Sequence, residues 1–441
     1  MTRHEVWADL ARLKDRTPFY DAVIDEQDRE HPRRIRIGDR WLADFASCNY
    51  LGFDVEPEIM AAPAELIARW GTHPSWSRLL GSPRPYLDIE EQLADLLQAP
   101  DTLVLPTITH IHMTVIPVLA GKGTVFCEAQ AHRTLYDGSS VARGNGAALH
   151  RWRTGDLGAL AVLLRRAPRD RPRLVVMDGI NSMTGNEPGL AAIADICRAE
   201  GALLYVDDAH GFGVIGERSS TETSPYGILG NSIVRHLGES YEGLVLVSGF
   251  SKSYSSLMAF LALPTQMKEY LKFAAAPYLY SGPSPTASLA TVLAGLEVNR
   301  KRGEEIRGAL WRKTARVIDH VRKLGLFTPN VSGFPIIELP ARRASDIEDI
   351  AAVLWERGVY VTLAAYPLVP RDQAGFRIQV TAANTDEEIE QLNETITELA
   401  PLLRAIDGTA SAPGHPERVP ERVPDRVPDR SLDRSPDRSG G

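Results

Sequence analysis

The chain has 441 residues, 44% of them hydrophobic and 24% charged, with a formal net charge of −8. This composition fits a globular protein with a sizeable core, and the acidic balance argues against nucleic acid or an anionic membrane as partner. No apolar run reaches the roughly 18–20 residues that a membrane span requires.

In chain order, Met1–Leu10 reads as a charged amphipathic helix and not as a secretory leader. The three cysteines, Cys48, Cys127 and Cys197, are far apart and read as small buried hydrophobes, which makes the cytoplasm the expected compartment. The first eighty residues are of mixed character and are expected to pack between two larger parts. From there, short apolar runs alternate with amphipathic stretches. The expected strands are Leu103–Pro106, Thr124–Cys127, Ala148–Trp152, Arg173–Met177, Ala202–Val206, Leu244–Val247 and Met258–Leu263. Helical patterns such as Leu157–Arg166 and Leu190–Glu200 lie between them, and this alternation means an α/β domain with a mainly parallel sheet. After Pro285 a long helix runs to about Leu324. It is followed by Pro335–Glu338, a helix over Ser345–Arg357, Tyr360–Thr362, Phe376–Val380 and a helix from about Thr385 to Ala405, a smaller α+β unit. From Pro416 a four-residue repeat of Pro, acid, Arg and a small or apolar residue forbids helix and reads as a disordered tail. The division expected is 1–80, 81–290, 291–407 and a tail of 408–441.

Two segments carry the chemistry. In Leu203–Ser219 an apolar strand runs into Asp207, Asp208, Ala209 and His210, placing acids at the carboxyl end of a parallel strand, where α/β sheets bind ligands. In Leu244–Ser256 a buried strand runs into a Ser/Gly-rich turn holding Lys252, flanked by Ser251 and Ser253. Each alone has a bland reading: a capped turn with a surface histidine, and a solvated lysine. Together they form the pair that a pyridoxal phosphate enzyme needs, an amine for the aldehyde and a carboxylate for the protonated ring nitrogen. The 45 positions between Asp207 and Lys252 include an inserted loop and short helix over 219–243.

On these residues the sequence resembles the α-oxoamine synthases, fold-type-I pyridoxal phosphate enzymes, over about Asp44 to Leu402. Further ordered matches support the resemblance: Asp44–Phe53, Ser77-Arg78 with Gly81 and the helix after it, Glu128–Gly138, Asp178–Gly185, Tyr278–Pro285 and Phe376-Arg377-Ile378. The resemblance implies an α/β fold, a large domain with a mainly parallel seven-stranded sheet and a smaller C-terminal α+β domain. It implies that Lys252 holds the cofactor's aldehyde and moves the α-proton. Asp207 pairs with the ring nitrogen, His210 with the phenolic oxygen, and His132 stacks on the ring. Ser182 touches the cofactor, Arg377 takes the amino acid's carboxylate, and Asn49 and Arg78 line the substrate entrance.

Departures concentrate where phosphate should bind. Thr107-Ile108-Thr109-His110-Ile111-His112 stands where the family has Ser-Gly-aromatic-Ala-Ala-Asn, leaving a helix N-terminus with Thr107, Ile108 and Thr109 to hold phosphate. Gly249, beside Ser248 and Ser251, replaces a phosphate-binding threonine. The family's glycines after the lysine are Ser255, Met258 and Ala259, and Gly282, beside Ser281, replaces the threonine that reaches a partner subunit. His110 and His112 lack an evident third ligand for a metal. The implied reaction condenses an amino acid with an acyl thioester of coenzyme A or an acyl carrier protein, with decarboxylation, in a homodimer. The changed cup and entrance suggest an unusual substrate. The competing readings are another fold-type-I reaction, such as transamination or aldol cleavage, and a non-catalytic subunit of this fold.

Overall fold

The first strands, β1 (Glu26–Gln27), β2 (Arg34–Ile37) and β3 (Arg40–Asp44), form an antiparallel meander. Then come β4 (Asp101–Leu105), β5 (Thr124–Glu128), β6 (Ala148–Trp152), β7 (Arg173–Asp178), β8 (Leu203–Asp207), β9 (Leu244–Gly249) and β10 (Ala259–Leu263), which make one sheet in the order β4-β10-β9-β8-β7-β5-β6. The four pairings from β9 to β6 are parallel, and β10 pairs antiparallel with both neighbours. Six strands thus point one way and only β10 is reversed. The computed structural model describes residue 11, residues 13–366 and residues 369–406. The expectations for Met1–Leu10 and for the tail from residue 408 lie outside them. The chain divides into Met1–Ala405 and Ile406–Gly441, and every strand and helix named belongs to the first unit.

Helices α1 (Pro57–Trp70), α2 (Arg84–Leu97), α3 (Ile108–Ala120), α4 (Arg133–Gly144), α5 (Leu157–Arg166), α6 (Leu190–Glu200), α7 (Thr265–Ala274) and α8 (Thr286–Lys323) surround this sheet. Both faces of the inner strands are buried, which is why they read as continuous apolar runs, while the edge strand β6 is largely exposed. On one face Leu105, Val125, Val176 and Val247 pack with Ile111, Val115 and Leu135 of α3 and α4. On the other, Phe126, Val175, Val206, Leu246 and Phe260 pack with Leu160 of α5, Ile193 of α6 and Leu296 of α8.

The C-terminal strands are β11 (Ile336–Pro340), β12 (Val359–Tyr360), β13 (Thr362–Ala364) and β14 (Gly375–Gln379), with α9 (Ile347–Glu356) and α10 (Asp386–Leu399). The sequence suggested one strand over Tyr360–Thr362. Instead, the chain changes sheets at Val361: β12 lies parallel to β3, while β13 pairs with β14, whose other neighbour is β11. The last helix ends at Leu399 rather than near Ala405, because Pro401 lacks an amide and disfavours helical backbone before it. Its start is fixed by a capping box between Thr385 and Glu388. Replacing Thr385 by Ala is expected to cost about 1 kcal/mol, measured as a lower urea midpoint at unchanged slope.

Candidate active site

The ends of β7, β8 and β9 and the start of α3 after β4 lie along one edge of the sheet, since these strands share a direction. Asp207 closes β8. Its Oδ1 accepts the Ala209 amide at 2.9 Å, and its Oδ2 lies 2.9 Å from Nε2 of His112. His112 is fully buried in α3, and its Nδ1 lies 2.9 Å from the hydroxyl of Tyr205, two residues before Asp207 on the same face of β8. Burial pushes the Asp207 carboxyl up, but the hydrogen bond and electrostatic pull of His112, then the charge of Lys252, hold it below its ordinary value. Its register neighbour Asp178, at the end of β7, moves the other way: burial, then the charge of Asp207, raise it well above the usual range. Two adjacent carboxyls are thus split, Asp207 ionised and Asp178 protonated more readily.

Asp178 accepts the His132 amide at 3.1 and 3.0 Å, which seats His132 as the cap of α4 with its ring exposed. His132 lies within electrostatic reach of Asp207, Lys252 and Arg377. His210 is buried, and burial, then Lys252 and Arg377, keep its pKa well below 6.5. Its Nδ1 is 2.8 Å from the Tyr50 hydroxyl. Burial raises that phenol well above its ordinary 10, so it stays protonated beside the imidazole. Lys252 follows β9 in a turn closed by the Ser255 amide on the Lys252 carbonyl, 3.1 Å. Ser255 holds φ at +53°, which explains why a family glycine fits at this position, and its hydroxyl donates to Asn49 Oδ1 at 3.2 Å. Asn49 therefore braces the lysine turn.

Arg377, on β14, donates from Nη1 to the Ser182 carbonyl at 2.6 Å, while its Nε is buried without a hydrogen-bond partner. Ser182 thus meets the arginine through its backbone. The register partner of Arg377 on β11 is Glu338. Burial raises the Glu338 carboxyl to about 7, against the charge of Arg377.

At the phosphate end, Thr107 caps α3, its Oγ1 accepting the His110 amide at 3.3 Å. A Cβ on Gly249 would stand 3.6 Å from Ser251 Oγ and 3.9 Å from Ile108 Cβ, so Ile108, Gly249 and Ser251 share one small cradle at the helix start. Thr109 is exposed on the first turn of the same helix. Ser248 is not available as a ligand: it is fully buried and its hydroxyl donates to the Asp208 carbonyl at 3.0 Å.

Two further expected residues have partners of their own. Ser281 donates to the Gly282 carbonyl at 3.2 Å. Arg78 is only 5% exposed. It bonds Glu90 at 3.0 Å, the Val104 carbonyl at 2.6 Å and Ser82 at 3.0 Å, and it packs over the rings of Tyr86 and Tyr278. Each of its three nitrogens is bonded inside the protein, so Arg78 holds the packing of this region together. Sequence reading missed Tyr50, Tyr205 and Glu338, and of His112 it noted only that, with His110, it lacks a third metal ligand. The alternation that puts Tyr205 and Asp207 on one strand face was the available signal.

The donor set fits pyridoxal phosphate. An ionised buried carboxylate, a lysine, an exposed imidazole face, a buried neutral histidine and a helix N-terminus for phosphate are gathered at one edge.

The comparisons with known proteins agree. The family model for aminotransferase class I and II matches residues 44–396. The chain is 33% identical over 380 residues to the 8-amino-7-oxononanoate synthase of Stutzerimonas stutzeri (strain A1501), covering 86% of this chain and 92% of that one. It is 32% identical over 361 residues to the putative 8-amino-7-oxononanoate synthase of Desulforudis audaxviator, covering 81% and 89%. In fold it resembles serine palmitoyltransferase from S. paucimobilis, solved with bound PLP, at a TM-score of 0.79 and 22% identity, over 91% of this chain and 99% of that one. The chain belongs to the aminotransferase class I and II family. Within that family it is one of the α-oxoamine synthases, enzymes that depend on pyridoxal phosphate.

Two expectations follow. Arg78→Ala leaves Glu90 short of a buried partner and costs about 3 kcal/mol in denaturant unfolding, with cofactor affinity unchanged. Glu338 contributes stability that is full below its ordinary 4.5 and lost as pH rises through about 7. Relative to Glu338→Gln, the wild type therefore loses on the order of 3 kcal/mol across that window, read from unfolding midpoints of both proteins at several pH values.

Proposed function

We propose that this enzyme condenses an amino acid with the acyl group of a thioester, carried by coenzyme A or an acyl carrier protein, and releases the free thiol and carbon dioxide to give an α-amino ketone. The observation that carries the reading is Arg377: a guanidinium with a buried, unpartnered Nε, in electrostatic contact with His132 and His210 beside Lys252. Its planar fork suits the amino acid's carboxylate. When bound, pyridoxal phosphate supplies an aldehyde for the amino group and a protonated ring that accepts electrons released at the α-carbon. Lys252 Nζ takes the α-proton and later returns one. Asp207 stays ionised to hold the ring nitrogen's proton, and His210 offers Nε2–H to the phenolic oxygen. The His132 ring supports one face. The start of α3, with Thr107, Ile108, Thr109, Gly249 and Ser251, receives the phosphate, and Ser182 orients Arg377. Asn49 acts through the lysine turn.

The same proposal includes a homodimer in the cytoplasm. Ser77 Oγ donates to the Leu279 carbonyl at 2.7 Å, which ties together two segments bearing the exposed apolar side chains Trp76, Leu80 and Tyr280. A patch of this kind is what a partner subunit covers.

The first test is the near-visible spectrum of the cofactor-loaded protein with each amino acid, followed by a screen of thioesters with the amino acid that shifts the band. Lys252→Ala is expected to abolish the Lys252-dependent band and turnover. Arg377→Ala is expected to raise the KM for the amino acid about 10- to 100-fold with the thioester KM little changed. An equal loss on both substrates would argue against the carboxylate role.

A further inference from the structure

We infer that His112 is a positioning residue that, held by Tyr205, fixes Asp207 for the cofactor's ring nitrogen, so that one helix sets both ends of the cofactor. The inference rests on the cofactor roles proposed above. Asp207 is only 6% exposed, so its charge depends on protein donors rather than on water. Two donors are present, one on each oxygen: the Ala209 amide on Oδ1 and His112 Nε2 on Oδ2. The backbone amide is fixed by the turn after β8. The imidazole needs a second contact to hold its orientation, and Tyr205 supplies it at Nδ1. Tyr205 and Asp207 belong to the same rigid strand, so the three side chains close a loop between β8 and α3 with no solvent-exposed member. His112, at 0% exposure, meets nothing that would move it.

The helix that carries His112 begins at Ile108, in the cradle with Gly249 and Ser251. Its first turn thus faces the proposed phosphate, and its second turn governs the partner of the ring nitrogen. The resemblance places an asparagine at position 112. Its amide nitrogen ends where the imidazole has Nδ1, short of the reach of Nε2. The imidazole is therefore a feature of this chain and not a carry-over.

The test uses the full-length protein reconstituted with pyridoxal phosphate labelled with 15N at the ring. The nitrogen resonance reports its protonation, and a titration gives the cofactor Kd. The wild type is expected to show a protonated ring nitrogen. His112→Phe is expected to move the resonance toward the unprotonated value and raise Kd about 10- to 100-fold, the scale of one hydrogen bond to a charged group. His112→Gln, whose Nε2 has similar reach, is expected to restore most of both. Tyr205→Phe should shift the resonance less, in the same direction. A folded His112→Phe protein with the wild-type resonance and Kd overturns the inference. Should that variant not fold, His112→Asn and Tyr205→Phe are read instead, and an unchanged resonance in both overturns it equally. These readouts need no amino acid or thioester. A wild type that takes up no labelled cofactor refutes the proposed function and this inference together, whereas an unchanged resonance refutes the inference alone.

Discussion

A carboxylate that must stay charged inside the protein is the constraint around which this site is arranged. Burying an ion without partners is costly, and neutralisation is the usual escape. At Asp207 that escape is closed by an amide, an imidazole and a nearby lysine. The neighbouring Asp178 shows the alternative: it adjoins the charge of Asp207 and is driven the other way. The cost of one ionised group is thus balanced locally, and the neighbouring carboxyl seats His132 by accepting its amide at the start of α4.

The second organising feature is the stretch that follows β3. The Gln379 amide donates to the Phe45 carbonyl, Gln379 Nε2 to the Ala46 carbonyl, and the Ala382 amide to the Tyr50 carbonyl. These bonds bind residues 45–50 to the end of β14. Within the same six residues, Tyr50 reaches His210 and the adjoining Asn49 reaches the turn after Lys252. A short segment thus contacts the arginine-bearing strand, the histidine after β8 and the lysine after β9.

Much of this was legible in the sequence, for reasons that can be named. The central strands are buried on both faces and bounded by turn residues, so their limits were read to within about two residues, and Ala148–Trp152, Leu157–Arg166 and Leu190–Glu200 were read as they stand. Lys252, Asp207 and His210 were found because each sits at or beside a strand whose pattern was plain, whereas Arg377 came from the resemblance of Phe376-Arg377-Ile378. What escaped depends on contacts between elements. Nothing local in His112 shows that it spans to β8, and nothing in Arg78 shows that Glu90 claims it. The split of Tyr360–Thr362 between two sheets is likewise a tertiary choice. The two strands flank Val361, and the local pattern does not change there.

That crossing at Val361 has a mechanical meaning. Because β12 is tied to β3 and β13 to β14, the three-stranded sheet cannot slide independently of the segment that leads into Tyr50. A force applied to Arg377 is carried by two parallel routes, through Gln379 to residues 45–46 and through β13 to β12 and β3. Both routes arrive at the residues that brace His210 and the lysine turn. The load path from the strand of Arg377 to the turn of Lys252 is therefore short and redundant, joining backbone pairing in the sheets to side-chain bonds of Gln379, Tyr50 and Asn49.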